Sequence, residues 1–187
     1  YQIHEWILGF FADTVQARVF ADGRPVGGVL QPRGAITPAG GGWALAPASW
    51  PFASGIDHAG WALVGALEFG DAGPPVSRLV LLAPGEYGIV DDWQVSGLRG
   101  TGSRSIAVTD TLALPAERVL DFADLIDGRL AAGLAPGLRA AFVPVLSLNV
   151  TGPALGAARS ALAAFVEHLE GRSMPFSPEA QADHATT

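Results

Sequence analysis

The chain has 187 residues, 49% of them hydrophobic, enough for a sizeable buried core in one or two domains and too apolar for a disordered segment. Eleven basic against eighteen acidic side chains leave a formal charge of −7 and no run of Lys or Arg that could track phosphates, which argues against nucleic acid or an anionic membrane as a partner. There is no cysteine, which excludes disulfides, thiolate metal sites, iron–sulfur clusters and a catalytic thiol. No apolar run approaches the roughly 18 residues that span a bilayer, and a cytoplasmic location is the default.

In chain order, residues 4–19 place Ile7, Phe11, Val15 and Val19 four apart with Trp6 and Phe10 beside them, the stripe of one amphipathic helix. Ala21-Asp-Gly-Arg-Pro25 ends it, since Asp-Gly and a following Pro favour a turn. The opening is abrupt: Tyr1 is no initiator, and Glu5 to Phe11 follows without turn or cap, as in a piece of a longer protein. From Val26 to about Phe122 the texture changes to short apolar runs at 28–31, 43–45, 61–69, 79–82, 88–90 and 106–114, separated by Gly- and Pro-rich turns. Short strands at that spacing predict a small barrel or sandwich.

Beyond Pro115 the helical pattern returns. Asp121 to Leu134 reads as a short helix or helical turn, ended by Ala-Pro-Gly at 135–137. A long helix is predicted over 151–171, with Thr151 as its N-cap and Pro153 in its first turn. Leu155, Ala158, Leu162, Phe165 and Leu169 form a seam on it that should pack against other helices, of which this chain supplies only one convincing example. That shortage is a second mark of a fragment.

Several chemical readings fail on spacing. Gly97-Leu-Arg-Gly-Thr-Gly102 is followed by strand-like sequence where a dinucleotide fingerprint needs a helix, so it reads as a tight glycine turn. Ser54 lacks the Gly two residues before it that a hydrolase elbow requires. The histidines at 4, 58, 168 and 184 show no metal-ligand spacing, and no metal site is expected. Asp91 and Asp92 are adjacent, so on a strand they would face opposite ways; a solvated turn explains them better than a carboxylate pair. Arg99 between glycines can bind an anion or anchor its own turn, and the sequence does not separate the two.

Two blocks remain, Trp50-Pro-Phe-Ala-Ser-Gly-Ile-Asp-His58 and Trp93-Gln-Val-Ser-Gly-Leu-Arg-Gly-Thr-Gly-Ser103. Together they resemble the middle domain of the acyl-CoA dehydrogenase superfamily, and within it the two-component, group D flavin-dependent monooxygenase branch. Leu30-Gln-Pro-Arg-Gly-Ala35 with Gly40-Gly-Gly-Trp-Ala-Leu45, Leu114-Pro-Ala-Glu-Arg118 and Leu155-Gly-Ala-Ala-Arg-Ser-Ala-Leu162 match the same family in order and approximate spacing. The resemblance implies an α+β, acyl-CoA dehydrogenase-like fold, a middle β-barrel flanked by helical segments. On that template 1–20 is the end of an N-terminal helical domain, 21–122 the barrel and 123–187 the start of a C-terminal bundle, in a protein that usually assembles as a homotetramer.

Carried over position by position, the resemblance places Phe52 against an isoalloxazine ring and the Ser54 hydroxyl near flavin N5. On one strand, residues two apart share a face, so a ring and a hydroxyl could address one flat ligand. Leu30, Gln31 and Pro32 match a segment whose backbone borders the pyrimidine edge. Arg172 resembles an arginine that reaches the flavin phosphate of a neighbouring subunit. The implied activity is hydroxylation of a small aromatic, polyketide or related substrate through a C4a-hydroperoxyflavin, with reduced FMN or FAD from a separate flavin reductase and molecular oxygen. No catalytic base is identified: it would come from helices outside this chain, and His58, four residues along an extended strand from Ser54, reads as structural. An acyl-CoA dehydrogenase, which would need a carboxylate base, and a non-catalytic barrel module are the alternatives.

Overall fold

Two helices open the chain where the sequence pattern predicts one. In the computed structural model, which describes residues 2–131, 133–170 and 172, they are α1 (Gln2–Leu8) and α2 (Asp13–Asp22). The break falls at Gly9. Its N–H bonds to Trp6 O at 3.2 Å in a tight turn, and the Leu138 methyls lie 2.8 Å from where a Cβ would sit. The four-residue stripe survives the break, because Ile7, Phe11, Val15 and Val19 are all buried. Gln16 Nε2 donates to Phe11 O at 2.8 Å and satisfies a carbonyl that the interrupted helix leaves open. At the end of α2, Gly23 takes the left-handed conformation (φ 74°) that the Asp-Gly step predicts.

The strands are β1 (Val26–Ala39), β2 (Gly42–Leu45), β3 (Ala48–Trp50), β4 (Trp61–Glu68), β5 (Val76–Leu82), β6 (Gly88–Val90), β7 (Ser105–Val108), β8 (Leu112–Leu114) and β9 (Val119–Asp121). They form a six-stranded sheet in the order β8-β2-β1-β4-β5-β9 and a three-stranded sheet in the order β3-β7-β6. Ile36, Leu45, Val64, Val80 and Leu114 of the larger sheet share one apolar core with Trp50, Ile106 and Val108 of the smaller. Trp50 also ties the sheets by a hydrogen bond, its indole N–H donating to Gly65 O of β4 at 2.7 Å.

The run at 106–114 is two strands, one in each sheet, because Thr109 and Asp110 bend the chain and bond to each other side chain to side chain at 3.1 Å. The run at 28–31 is the first part of a 14-residue strand. That strand pairs parallel with β4 and shifts register twice, between Val29 and Pro32 and between Pro32 and Ala35. Pro32 is tolerated because it sits between two irregularities, where the ladder does not need its missing N–H.

Arg118, 5% exposed, locks the end of the barrel sequence to the β5–β6 turn with a two-pronged ion pair to Glu86, at 2.7 and 2.8 Å. Asp121 then caps α3 (Phe122–Ile126), accepting from Ala123 N–H at 2.8 Å.

The long helix, α4 (Phe142–Glu170), begins nine residues before the predicted cap. Thr151 is interior, its hydroxyl donating to Ser147 O one turn back at 2.7 Å, and Pro153 lies inside the helix. The apolar residues from Phe142 to Val150 outweigh the local start signals, as tertiary context commonly does. Two compact units divide between Val143 and Pro144. Within the second, Leu155, Leu162 and Phe165 of the predicted seam are exposed. Among the described residues no helix is long and apolar enough to cross a membrane.

A Cβ at Gly28 would lie 1.9 Å from Leu63 O of β4, and at Gly65 2.4 Å from Leu30 O of β1. Gly28→Ala is therefore expected to cost more than about 3 kcal/mol, against the 1 kcal/mol typical of point changes. A urea unfolding midpoint within error of the wild type would contradict the close approach.

Candidate functional site

The candidate site is built where the chain leaves β3. Phe52 is held at φ 59°, a left-handed conformation that a bulky residue adopts at a cost of about 1–2 kcal/mol. Its ring is 67% exposed, Ala53 beside it is fully buried, and Ser54 is exposed again. Phe52 and Ser54 are thus not two positions of one regular strand, as expected. They emerge from a kinked segment pinned by Ala53, whose N–H donates to Arg104 O at 2.9 Å. The fixed backbone, not strand periodicity, leaves the ring and the serine both exposed.

Ser54 is joined to β1. It exchanges both backbone hydrogen bonds with Gly28, its N–H to Gly28 O at 2.8 Å and its carbonyl accepting from Gly28 N–H at 3.1 Å. Leu30 lies two residues further along β1, roughly 7 Å away at the rise of an extended chain. Between Val29 and Pro32, which face consecutive β4 residues Val64 and Gly65, Leu30 and Gln31 have no ladder partners. A bulge of this kind leaves main-chain groups for another use. The tertiary structure thereby brings the Leu30–Pro32 segment and Ser54 together.

The second motif forms an exposed loop between β6 and β7. Trp93 meets Phe52 edge to face, with ring centroids 6.3 Å apart. A small cavity of about 110 Å³ opens between Phe52, Asp92, Trp93 and Ser105. A larger open cavity of about 550 Å³ is lined by Trp93, Gln94, Val95, Ser96 and Arg99. Arg99 Nε donates to Val95 O at 2.8 Å, so this arginine anchors its own turn. Asp92 accepts from the Ser105 hydroxyl and from its N–H at 2.9 Å, which hold the carboxyl below the ordinary carboxylate range.

No family model matches the chain. Comparison with curated proteins finds 37% identity over 179 residues, 90% of this chain, with the FADH(2)-dependent resorcinol hydroxylase, oxygenase component, of Rhizobium sp. (strain MTP-10005). The crystal structure of the HsaA monooxygenase from M. tuberculosis superposes with a TM-score of 0.79 at 32% identity over 93% of this chain. XiaF from Streptomyces sp., in complex with FADH2 and glycerol, superposes with a TM-score of 0.78 at 27% identity over 95%. The chain belongs to the family of flavin-dependent monooxygenase oxygenase components. Its fold is that family's acyl-CoA dehydrogenase-like α+β fold. It spans 42% of the hydroxylase, 48% of the HsaA chain and 46% of the XiaF chain.

As a member of this family the chain presents groups whose chemistry suits a flavin. The exposed Phe52 ring borders the small opening, and two residues along the chain Ser54, its hydroxyl without a hydrogen bond to the described residues, is bridged to the strand that carries the unladdered Leu30 and Gln31. An aromatic face, a hydroxyl and main-chain groups suit a flat ring with a polar edge. Arg172 lies in the other compact unit, exposed just beyond α4, its N–H donating to Leu169 O at 3.1 Å. His58 closes a 3-10 turn (Ile56–His58) and is exposed, so it is not carried off along an extended strand. Among the described residues no group of three metal-ligating side chains occurs.

Two contributors gave no signal in the sequence. The contact between Trp93 and Phe52 crosses forty-one positions, and no spacing rule links them. His4 of α1 is 5% exposed and hydrogen-bonds with the backbone of Gly28, directly behind the Ser54 bridge, while its Nδ1 has no partner among the described residues. Burial lowers its pKa from 6.5 to about 4. The folded protein therefore favours the neutral ring more than the unfolded chain does. The associated stability is intact above pH 6.5 and drains away as pH falls toward 4, reaching about 3 kcal/mol. His4→Gln should flatten the thermal-stability profile between those pH values; an unaltered acid slope would rule His4 out as its source.

Proposed function

We propose that the protein to which this chain belongs is the oxygenase component of a two-component, reduced-flavin-dependent monooxygenase that hydroxylates a small aromatic, polyketide or related substrate. The observation that carries the reading is the Gly28–Ser54 bridge, which in a chain of this family joins the segment bearing Phe52 and Ser54 to the strand with the Leu30–Gln31 bulge, beside the small opening that Phe52 and Trp93 line. The 37% identity to a resorcinol hydroxylase oxygenase component favours a phenolic ring as the substrate class.

Reduced FMN or FAD, delivered by a separate flavin reductase, would supply the electrons that activate molecular oxygen, one atom entering the substrate and the other leaving as water. The chain's own residues bind and orient. The Ser54 hydroxyl addresses flavin N5, the Phe52 ring packs on the isoalloxazine, and the Leu30, Gln31 and Pro32 backbone meets the pyrimidine edge. Trp93 walls the opening against water, as such chemistry demands. Arg172 reaches the flavin phosphate of a neighbouring subunit, and its guanidinium fork suits that anion. XiaF was crystallised with FADH2, which supports FAD among the two flavins.

Residues 1–20 are read as the end of an N-terminal helical domain, 21–122 as the barrel and 123–187 as the start of a C-terminal bundle. The exposed Leu155, Leu162 and Phe165 seam would be covered in a cytoplasmic homotetramer. Light-scattering mass of the full-length protein is expected at four subunits, and a stable monomer would remove that assembly.

The functional reading is tested by anaerobic titration of the full-length protein with reduced FMN and reduced FAD, then by product analysis with a reductase, NADH and a panel of phenols. Ser54→Ala is expected to weaken reduced-flavin binding roughly fivefold, the loss of one hydrogen bond of about 1 kcal/mol. Binding of neither flavin by the wild type would discard the proposal.

A further inference from the structure

Two stretches of the candidate site, 52–57 and 91–93, meet at Arg104. The Arg104 carbonyl accepts from Ala53 N–H at 2.9 Å, between Phe52 and Ser54. Its guanidinium holds Asp57, in the turn that follows Ser54, with Nε 2.8 Å from Oδ1. Through Nη1 it also holds Asp91, two residues before Trp93. Gly102 closes the same knot from the other side: its φ is 56°, and a Cβ there would lie 2.4 Å from the Asp57 carboxylate. Only glycine leaves Asp57 where Arg104 reaches it.

Global stability does not account for this arrangement. The Arg104 and Asp57 side chains are 28% and 29% exposed and that of Asp91 89%, so both are water-screened surface pairs that add little to global stability. What Arg104 does is local. Asp57 and Asp91 share one cation, and Asp92 is next to Asp91 in sequence; without that cation the Asp57 carboxylate would meet an acidic loop with no counter-charge between them. Like charges at such range push apart. The strained Phe52 backbone also needs its surroundings to hold it.

We propose that Arg104 is a positioning residue: by tying the Phe52–Ser54 segment to the Trp93 loop it sets the spacing between Phe52 and Trp93, and so the width of the opening that receives the flavin ring. The inference rests on the flavin reading of the site. Nothing in the spacing of the sequence points to it, since Asp57 is 47 residues from its partner.

The test uses the full-length protein carrying Arg104→Ala, Arg104→Lys or Asp57→Ala, with two readouts. Amide hydrogen exchange without flavin is expected to quicken about tenfold over 52–58 and 91–103 in Arg104→Ala and to stay unchanged in β4 and β5. The Kd for reduced flavin is expected to rise about tenfold in the same variant. Arg104→Lys should fall between it and the wild type on both, because an ammonium keeps the charge and lacks the fork. Asp57→Ala should loosen 52–58 while leaving 91–93 protected through the Asp91 pair. Unchanged exchange in both loops overturns the proposal, as does exchange that quickens in the loops with no change in flavin Kd. Exchange that rises throughout the barrel in Arg104→Ala and Asp57→Ala alike makes the pair merely structural and overturns it too. If the wild type binds no reduced flavin, it is the flavin reading that fails, and the exchange readout still decides whether Arg104 ties the loops.

Discussion

At Gly28 three pieces of main chain come together so closely that only a hydrogen atom fits where a side chain would begin. Leu63 O of β4 occupies one side, Ser54 exchanges two hydrogen bonds on another, and His4 closes from behind. The bridge to Ser54 is possible because Gly27, too, lacks a Cβ, which would lie 3.0 Å from Ser54 O. The same crowding reappears at Gly65, where Leu30 O takes the place of a Cβ and the β1 strand is forced into its bulge. The Ser54 bridge and the bulge at Leu30 and Gln31 are therefore consequences of one constraint, the close approach of main chain at Gly27, Gly28 and Gly65 without intervening side chains.

The other half of the site is held differently. The Trp93 loop buries little apolar surface; Leu98 in it is exposed and takes a left-handed φ of 57°. Its fixed points are polar: Asp92 on Ser105, Arg99 on Val95, and Arg104 on Asp57 and Asp91. A core packed from apolar side chains resists deformation, whereas surface ion pairs are weak and screened by salt. The opening between Phe52 and Trp93 thus has one wall built on the barrel and one wall held by charge. Binding residues commonly sit on such loops because the scaffold beneath can stay rigid while the loop adapts.

The core beneath both walls explains why so kinked a segment as Trp50–Ser54 can persist. Trp50 fills the space between the sheets and donates its N–H across to Gly65, and Ala53 is buried against the same cluster. Two inward anchors on either side of Phe52 leave its ring nowhere to go but outward. The cost of its positive φ is small beside the burial of a tryptophan, worth about 2–3 kcal/mol or more.

Local residue patterns carry the texture and order of the chain: the Ile7–Val19 stripe, the turn at Gly23, the short strands between Val26 and Phe122, the family motifs around Phe52 and Trp93, and the apolar seam of the last helix. Those features are local, written in neighbours no more than a few residues apart, and burial and hydrogen bonding largely follow them. Where helix α1 breaks and how 106–114 divides between two sheets depend on distant partners, Leu138 against Gly9 and β2 against β8, and α4 begins before its local start signals because the apolar run ahead of Thr151 is helical too. Only the tertiary structure set Ser54 beside Gly28, Phe52 beside Trp93 and Arg104 between two aspartates. Such contacts join positions dozens of residues apart, and no periodicity of a chain encodes which of its distant segments will meet.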